Sequence, residues 1–592
     1  MKKHLSLVVV ILLVISMIAA CTSPAPTTTS AAATAVATTA VATTAAAATV
    51  AATTASETTA PATASTEADY TVQMLVGPTK VKNTKDTVVG KAIYDKFKIN
   101  FELISYAGDQ REKQNLMLAA KDFNEMQYMQ REDMVINYIK AGALLELDKY
   151  LPTMPNFTAR YKDIIPYWRL PGEGKLYKWE TAIPRSLESD IEVNDIMVRT
   201  DSLEAAGWKM PRSSDDWVAF LKEAVKTAKD VDGNPVVGLT LPMGEAWGLA
   251  GLVPILYEKG DTYQAASNEA FTFNLKTKLF EDYFKAPPVK DSIRFFNKLY
   301  QEGLLDEECF TDTLDKTTEK LNKGKAIAGY YVTWCVGTAN AAMIKSAKEK
   351  MQYINLPIQS NAQVAAGEKR EIRVEASRPF DSWGLTTNCK QPERLLKLID
   401  YMTTDEGQIL LKSGVEGTHW TVQDGKRVVT DVLKKATLDP EFNVSQGIGG
   451  WNNGLPSFSL LAADGQPHSL TSDQTYIDTQ GLTPRQQDAF KAIGWKSSKS
   501  WYLDNGFFAP SGLSTAVYID PTTDLGKTGT KMSELRVRYS TKLIMAKSDA
   551  EFDTIWQEAM AAYEKLSPAD YVTEMNRLLG VQATKLEEYK SK

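Results

Sequence analysis

The chain has 592 residues, of which 43% are hydrophobic and 24% are charged, a composition typical of globular proteins with ample apolar cores. Its formal net charge of −6 argues against a strongly basic surface, so we expect no nucleic-acid partner. Only three histidines and four cysteines occur, and the cysteines form no CxxC pair. These counts exclude histidine-rich metal sites and zinc or iron–sulfur frameworks.

Residues 1–20 are typical of a secretory signal peptide. A basic start precedes an apolar run over residues 5–20, which is short for a membrane-spanning helix. The run ends in Ile18-Ala-Ala-Cys21, and small residues before a cysteine resemble the signal of bacterial lipoproteins. The resemblance implies that Cys21 becomes the first residue and carries acyl chains such as palmitate, which hold the protein at the extracellular face of the cell membrane.

Residues 22–68 contain 19 alanines and 16 threonines among 47 residues, with only two charged side chains. Alanine favours helix, but the interleaved β-branched threonines and three prolines oppose it. No apolar face exists that could be buried. We therefore expect residues 21–68 to form a disordered tether that carries a folded body over residues 69–592.

The body begins with alternating strands and helices. The pattern predicts strands at Tyr70–Val76 and Ile99–Ser105, and helices at residues 86–98, 109–121 and 131–142. This alternation predicts an α/β fold with a mainly parallel sheet.

Helical spacing recurs through the rest of the chain, at residues 214–230, 288–303, 317–324, 391–413, 548–566 and 568–580. Ser214 is the expected cap of the first of these helices, with Trp217 where a full capping box has Glu. Lys323–Trp334 is expected to form a glycine turn followed by a buried strand.

Five stretches of the body resemble motifs of one protein family. They are Arg131–Tyr150 with its G-x-L-x-x-L-D ending, Gly174–Tyr177 (G-K-x-Y), Val198–Pro211 (R-x-D-x-L…G…P), Gly324–Trp334 and Tyr401–Trp420. They follow the family's order from residue 69 to about 425. In these motifs the chain resembles the extracellular solute-binding proteins of bacterial ABC importers, and among them the large carbohydrate-binding lipoproteins of Gram-positive bacteria.

The resemblance implies a type II periplasmic-binding-protein-like fold with a ligand cleft between two lobes. Lobe 1 is expected at about 69–190 plus 352–440, and lobe 2 at about 191–351 plus 441–592, although residues 440–545 match no motif. The implied protein is the monomeric substrate-binding subunit of an ABC importer. It would capture a carbohydrate, in particular an oligosaccharide, by cleft closure and deliver it to the permease subunits without catalysing a reaction.

A sugar site needs aromatic platforms beside polar side chains. The candidate ligand-binding residues are Gln127, Tyr128, Arg131, Trp247, Tyr331, Trp334, Asp381, Trp383, His419, Trp420 and Trp451. Trp334 follows the strand after Gly324, where relatives often place a stacking aromatic residue. Each of these tryptophans has core packing as its alternative.

No cofactor is expected. Some relatives hold calcium in a loop after the helix that follows the R-x-D motif. Here Asp230, Asp232 and Asn234 have alternating ligand spacing, but Pro235 interrupts the loop and no acidic residue closes it at the twelfth position. A solvated turn is the alternative to a calcium site.

Other functions stay open at this point. One is a cell-surface glycan-binding adhesin displayed on the Thr/Ala stalk, and another is a binding protein for peptides or other solutes. A glycosidase would need a catalytic pair among Glu188, Asp190, Glu192 and Asp195, and nothing in the sequence fixes two of these carboxylates at a catalytic separation.

Overall fold

The computed structural model describes residues 67–77, 79–106, 110–181, 195–245, 248–249, 260, 262–265, 271–330, 333–375, 382–449 and 454–591. These residues belong to one compact unit. The predicted signal peptide, the lipidated Cys21 and most of the tether lie outside the described residues.

Strands and helices alternate along the described chain. The strands are β1 (Tyr70–Val76), β2 (Ile99–Ser105), β3 (Met126–Met129), β4 (Trp179–Glu180), β5 (Ile196–Arg199), β6 (Val237–Thr240), β7 (Tyr263–Ala265), β8 (Phe271–Asn274), β9 (Leu279–Asp282), β10 (Ala326–Tyr330), β11 (Tyr353–Leu356), β12 (Arg370–Glu375), β13 (Ser382–Leu385), β14 (Trp420–Gln423), β15 (Lys426–Val429) and β16 (Gly506–Ser511).

The α-helices are α1 (Val88–Phe97), α2 (Gln110–Ala120), α3 (Glu132–Lys140), α4 (Pro155–Tyr161), α5 (Ile165–Trp168), α6 (Thr200–Ala205), α7 (Ser214–Ala224), α8 (Pro287–Gln301), α9 (Leu314–Asn322), α10 (Thr333–Lys345), α11 (Asn361–Ala366), α12 (Pro392–Met402), α13 (Asp405–Ser413), α14 (Asp431–Leu438), α15 (Pro440–Gln446), α16 (Gln474–Thr479), α17 (Pro484–Ala492), α18 (Ser498–Asn505), α19 (Asp524–Ile544), α20 (Asp549–Glu564) and α21 (Pro568–Lys590). None of the helices in the described part of the chain has both the length and the apolar character needed to cross a membrane.

The first strands have the predicted bounds and pair in parallel along their full length. The expectation of a mainly parallel sheet is nevertheless wrong for the described strands. β6–β10 and β12–β16 are parallel, but β5 runs antiparallel to β10 and β11, and β13 runs antiparallel to β3 and β4. β5 and β13 each begin after a connection from another part of the fold. Each then runs antiparallel to its neighbours, and the local alternation of strands and helices in the sequence does not reveal this direction.

Several helix boundaries also differ from the prediction: the helix predicted to residue 230 ends at Ala224, and the one predicted to end at residue 580 continues to Lys590. The cap of α7 is Ser213, not Ser214, and Ser213 and Asp216 form a full capping box in which each side chain accepts the other's backbone N–H. The helix predicted at 391–413 is two helices, α12 and α13. The break occurs because the hydroxyl of Thr404 accepts the N–H of Gly407 and starts α13 anew.

The apolar interior consists of two large cores. The first core takes its side chains from residues 70–179 and 383–458. The second core takes its side chains from residues 196–358 and 489–579. Each core therefore needs two separated stretches of chain, and the chain must pass between the cores repeatedly.

The chain crosses from one core to the other at later residues than the expected lobe boundaries near 351 and 440. β11 pairs with β5 and its Leu356 lies in the second core. Leu455 and Phe458 still pack in the first core. The expected α/β class is confirmed, because helices pack on sheets in both cores.

Gly90 offers a test of the packing at the start of α1. A Cβ at this position would lie 1.9 Å from the backbone oxygen of Thr84, which belongs to the preceding 3₁₀ turn. We expect Gly90→Ala to lower the free energy of unfolding by about 2 kcal/mol, because the added methyl group overpacks a backbone contact.

The matched control is Gly580→Ala in α21, where an added Cβ meets open space. This exchange should raise the free energy of unfolding by about 0.5–1 kcal/mol through helix propensity alone. Urea unfolding of both variants provides the measurement. A Gly90→Ala variant as stable as Gly580→Ala would contradict the close approach.

Candidate ligand-binding site

The chain passes between the two cores three times, and two of these passages connect strands. Residues 181–195 lead from the end of β4 in the first core to the start of β5 in the second. Residues 376–381 lead from the end of β12, beside the second core, to the start of β13 in the first. The seven Cα–Cα steps from Glu375 to Ser382 span at most about 23–25 Å, which limits the distance between these two strand ends. A ligand between these strand ends would contact both cores.

A buried ion cluster holds the first-core ends of both passages. The Nζ of Lys178 lies 2.8 Å from Glu132 Oε2 and 2.8 Å from Glu180 Oε1, and it donates a hydrogen bond of 3.1 Å to Ser382 Oγ. The Lys178 and Glu180 side chains are 1% and 0% exposed. Burial alone would lower the pKa of Lys178, but the two carboxylates reverse this effect and raise it above its ordinary value.

A second buried cluster fixes the start of β5 at the second core. The Nε of Arg370 lies 3.1 Å from both carboxylate oxygens of Asp195, and the hydroxyl of Tyr502 donates to the same carboxylate. All three side chains are almost fully buried. Asp195, one of the carboxylates considered for a glycosidase pair, is thus engaged by an arginine and a tyrosine. Glu188, Asp190 and Glu192 lie outside the described residues.

The sheet β3–β13–β4 carries charge on one face and aromatic rings on the other. Alternation along the strands puts Lys178, Glu180 and Ser382 on one face, and Trp179 and Trp383 on the opposite face. Trp383 is also in register with Tyr128, and their ring centroids are 5.3 Å apart. The result is a row of three aromatic side chains across the strand ends.

Two members of this row were candidates from the sequence. Trp383 is only 2% exposed, and its indole Nε1 is buried without a hydrogen-bond acceptor in the part of the chain that the structure describes. Tyr128 is half-buried and forms the accessible end of the row. Trp179, which the sequence did not single out, is fully buried and donates through Nε1 to Gly454 O at 3.1 Å.

The turn from β3 into α3 contains the candidates Gln127 and Arg131. Arg131 precedes the first residue of α3 and has φ 75° and ψ 159°, a conformation that favours glycine and costs about 1–3 kcal/mol in other residues. Gln127 is fully buried, and its Nε2 donates to Tyr128 O at 3.0 Å. Its role here is to support the strand that carries Tyr128.

His419 lies in the interior rather than at a cleft rim. The ring is 0% exposed, its Nδ1 accepts the N–H of Val415 at 2.9 Å, and its Nε2 lies 3.1 Å from Gln446 Oε1. Because Nδ1 accepts, Nε2 carries the proton and donates. Burial lowers the pKa of His419. Both ring nitrogens are used by the fold, so we no longer count His419 among the ligand contacts.

Trp420 lies at a different place from the facing strand ends. It is half-buried, its Nε1 donates to Gly414 O at 2.9 Å, and it lines a surface cavity on the first core. None of the residues of the two ion clusters or the aromatic row lines that cavity.

Several sequence candidates cannot be placed. Trp247, Tyr331, Asp381 and Trp451 lie outside the described residues. Trp334 is the second residue of α10, so it begins a helix directly after β10 rather than ending a strand. Its side chain lies outside the described part.

The loop considered for calcium is closed by its own hydrogen bonds. Asp230 Oδ1 accepts the backbone N–H of Asp232 (2.9 Å) and of Asn234 (2.7 Å), and its Oδ2 accepts the Asn234 side-chain amide at 3.2 Å. Burial would raise the pKa of Asp230, but these donors outweigh it and lower the pKa. The residues of this turn do not fit a calcium site, because Asn234 directs its amide donor and not its oxygen toward Asp230.

No protein-family model matches the chain. Lipoprotein LipO of Bacillus subtilis (strain 168) is 26% identical over 354 residues, which are 58% of this chain and 65% of LipO. The fructooligosaccharide ABC transporter substrate-binding protein FusA of Streptococcus pneumoniae serotype 4 is 23% identical over 281 residues, 43% of this chain and 48% of FusA. The matched part of this chain thus spans less than two thirds of either relative.

Solved structures match over more of the chain. The alginate-binding protein AlgQ2, in a crystal structure without calcium ion, has a TM-score of 0.57 and 17% identity, with coverage of 86% of this chain and 98% of AlgQ2. An HMO-binding solute-binding protein of an ABC transporter from Bifidobacterium longum infantis has a TM-score of 0.57 and 16% identity, with coverage of 87% and 99%.

The chain is similar in sequence to a lipoprotein and to an ABC-transporter substrate-binding protein, and it has the two-lobed fold of the solved solute-binding proteins. FusA in complex with kestose gives the same result, with a TM-score of 0.57 and 16% identity over 87% of this chain. The expected fold and family resemblance are therefore confirmed. FusA, AlgQ2 and the Bifidobacterium protein are binding proteins by name, not enzymes.

The Lys178 cluster should be essential to the stability of the solute-binding fold. Lys178→Met leaves Glu132 and Glu180 buried together without their cation, which should lower the free energy of unfolding by about 3–5 kcal/mol. The matched control is Lys175→Met, which removes an exposed ion pair with Glu146 of the same length, 2.8 Å. Exposed pairs contribute little, so the control should unfold like the wild-type protein. Similar urea midpoints for the two variants would contradict this role.

Because His419 is buried, we expect the free energy of unfolding to fall as the pH is lowered. Its folded-state pKa is depressed, so the unfolded chain takes up a proton near pH 6.5 while the folded chain stays neutral. Stability is therefore unaffected above about pH 7 and falls below it, with a slope of at most about 1.4 kcal/mol per pH unit for this one histidine.

His468 is also buried with a lowered pKa, although Asp405 opposes the shift, so it adds to the same trend. We expect His419→Gln to reduce the decline between pH 7 and pH 5 without removing it. Urea unfolding at a series of pH values measures the slope. An unchanged slope in His419→Gln would show that this histidine does not titrate on unfolding.

Proposed function

We propose that the chain is the membrane-anchored, extracellular substrate-binding subunit of an ABC importer, and that it captures an oligosaccharide between its two cores. The observation that carries this proposal is the arrangement of strand ends at the two passages, where the half-buried ring of Tyr128 is accessible and Trp383 and Trp179 pack behind it in the first core. Aromatic faces of this kind pack against the apolar C–H faces of sugar rings. The named ligands of FusA and of the Bifidobacterium protein support a carbohydrate.

Capture works by a change in population. A ligand that touches both cores only when they close binds the closed form more tightly, and it shifts the open–closed equilibrium by that difference in affinity. The closed form then presents the bound sugar to the permease subunits. No step of this cycle makes or breaks a covalent bond in the ligand, and no cofactor takes part.

The proposal also assigns a role to Cys21, as the lipid anchor, and to the segment that follows it, as the tether. Lipidation of Cys21 would keep the protein at the outer face of the membrane, near its permease, and LipO's name as a lipoprotein supports this. A coil of 47 residues has a mean end-to-end distance of about 35–40 Å, so the body can reach the permease while tethered. A static adhesin would not need two cores joined by short passages, which is why we favour import.

The proposal is tested by ligand binding without turnover. Fructooligosaccharides, alginate oligosaccharides and N-glycan fragments are screened by thermal shift, and the best ligand is recovered and analysed for products. At 100 times its dissociation constant, a true ligand should stabilise the protein by about 2.7 kcal/mol and be recovered intact. Stabilisation by peptides and by no sugar would refute the carbohydrate, and product formation would refute a binding role.

Trp334→Ala should weaken binding of that ligand by about tenfold or more while the protein keeps its fold, because it removes a stacking ring at the start of α10. The matched control is Trp208→Ala, which removes a half-buried tryptophan packed against the second core and Arg485. Titration calorimetry and circular dichroism measure both properties. A Trp334→Ala variant that unfolds would place Trp334 in the core instead.

A further inference from the structure

The first core carries a surface cavity that lies away from the strand ends at the two passages. It has a volume of about 650 Å³ and lies between the second half of α1, the helix α13 and the hairpin β14–β15. It is lined by Ala92, Asp95, Lys96, Tyr401, Asp405, Glu406, Ile409, Leu410, Gly414, Val415, Glu416, Trp420, Arg427, Ala462, Ala463 and Asp464. A cavity of this size can hold one or two sugar rings or a short peptide.

Two aromatic side chains of this lining are held in fixed orientations. The indole of Trp420 is fixed by its 2.9 Å hydrogen bond to Gly414 O. Tyr401 packs against Phe97, with ring centroids 5.0 Å apart, and lies 4.2 Å below Lys96 Nζ. Rings that are already immobilised lose little entropy when a ligand packs on them.

Arg427 has a buried donor that the protein does not satisfy. Its side chain is 8% exposed, and its guanidinium donates through Nη1 to Asp464 at 2.6 Å and through Nη2 to Pro467 O at 3.3 Å. Its Nε–H is buried and has no acceptor among the described residues. A buried donor without a partner costs about 1–3 kcal/mol, so an oxygen atom from outside the chain would relieve this cost.

The charges around the cavity are largely paired. Four of its five carboxylates contact a cation: Asp95 with Lys91, Glu406 with Lys96, Asp405 with Arg160 and Asp464 with Arg427. The excess negative charge of the lining is that of Glu416 alone. This small excess does not favour an anionic ligand. A neutral group such as a hydroxyl can supply the missing oxygen.

We propose that this cavity binds a neutral saccharide ring, supplied by a soluble oligosaccharide or by a glycan of the cell envelope. A pyranose ring presents an apolar face to Trp420 and hydroxyl oxygens to Arg427 Nε, and its hydroxyl protons suit the surrounding carboxylates. This site is separate from the cleft between the cores, and it stands whether or not the chain serves an importer.

The test uses the full chain and follows the indole N–H signal of Trp420 by NMR. The probes are glucose, N-acetylglucosamine, cellotetraose and chitotetraose at up to about 10 mM, a range that detects weak recognition. We expect at least one probe to shift the Trp420 signal. Retention of the protein on purified peptidoglycan, competed by chitotetraose, would identify the envelope as the source, and a shift with soluble sugars alone would identify a free saccharide.

Three variants examine the site itself. Ala463→Trp should fill the exposed side of the cavity, and Arg427→Lys keeps the cation beside Asp464 but removes the Nε donor; each should weaken binding by about tenfold. Trp420→Ala should abolish it, which is read from the NMR signals of the sugar because this variant lacks the indole. Trp208→Ala, outside the cavity, should leave it unchanged. Because Ala463 is exposed, its variant stays informative even if Trp420→Ala destabilises the fold.

Three outcomes would overturn the proposal. One is the absence of any shift of the Trp420 signal with all four sugars. A second is a shift that survives in Ala463→Trp and Arg427→Lys alike. A third is a response to tetralysine and to no sugar, which would make the negative lining a site for cationic peptides instead.

Discussion

Two buried ion clusters fasten the chain where it passes between the cores, and the rest of the structure depends on them. Lys178 joins the end of β4 to the start of β13, so it holds both passages at the first core. Asp195 and Arg370 join the start of β5 to the start of β12, so they fix the second-core end of the first passage. Buried charges are costly unless they are paired and hydrogen-bonded, and here each cluster meets that condition.

The same clusters position the residues at the ligand edge. Ser382 belongs to the ion cluster and is followed directly by Trp383 of the aromatic row. Glu132 belongs to the cluster and is preceded directly by the strained Arg131. A strained backbone persists only where its surroundings fix it, and the buried contact between Glu132 and Lys178 supplies that constraint on one side of Arg131. Residues that stabilise the fold are therefore direct sequence neighbours of residues that we propose to lie at the ligand edge.

Local patterns in the sequence predict local structure well. β1 and β2 were predicted with their observed bounds, because alternating apolar residues and flanking turn residues are visible in one short window. The two-lobed fold was predicted only through motifs that resemble a family. The reversed direction of β5 and β13 depends on passages from distant parts of the chain, and no short window contains that information.

The candidate site was predicted less completely for the same reason. Lys178 contacts Glu132, 46 residues away, and Ser382, 204 residues away. The only local signal is a lysine and a glutamate two residues apart in a strand that is otherwise aromatic. The prediction that His419 contacts the ligand was wrong because a glycine- and threonine-rich loop predicts an exposed side chain. In the structure Gly414, with φ 80°, lets the loop fold tightly against the imidazole ring.

The contacts between the cores outside the passages explain how little energy closure requires. Lys140 pairs with Asp520 and Lys585 pairs with Glu173, and both pairs are largely exposed, so breaking them costs little. One small apolar cluster, Leu170, Ala516, Leu586 and Tyr589, links α21 to the segment after α5. Since these exposed pairs are weak, a ligand needs only a modest difference in affinity between open and closed forms to shift the population.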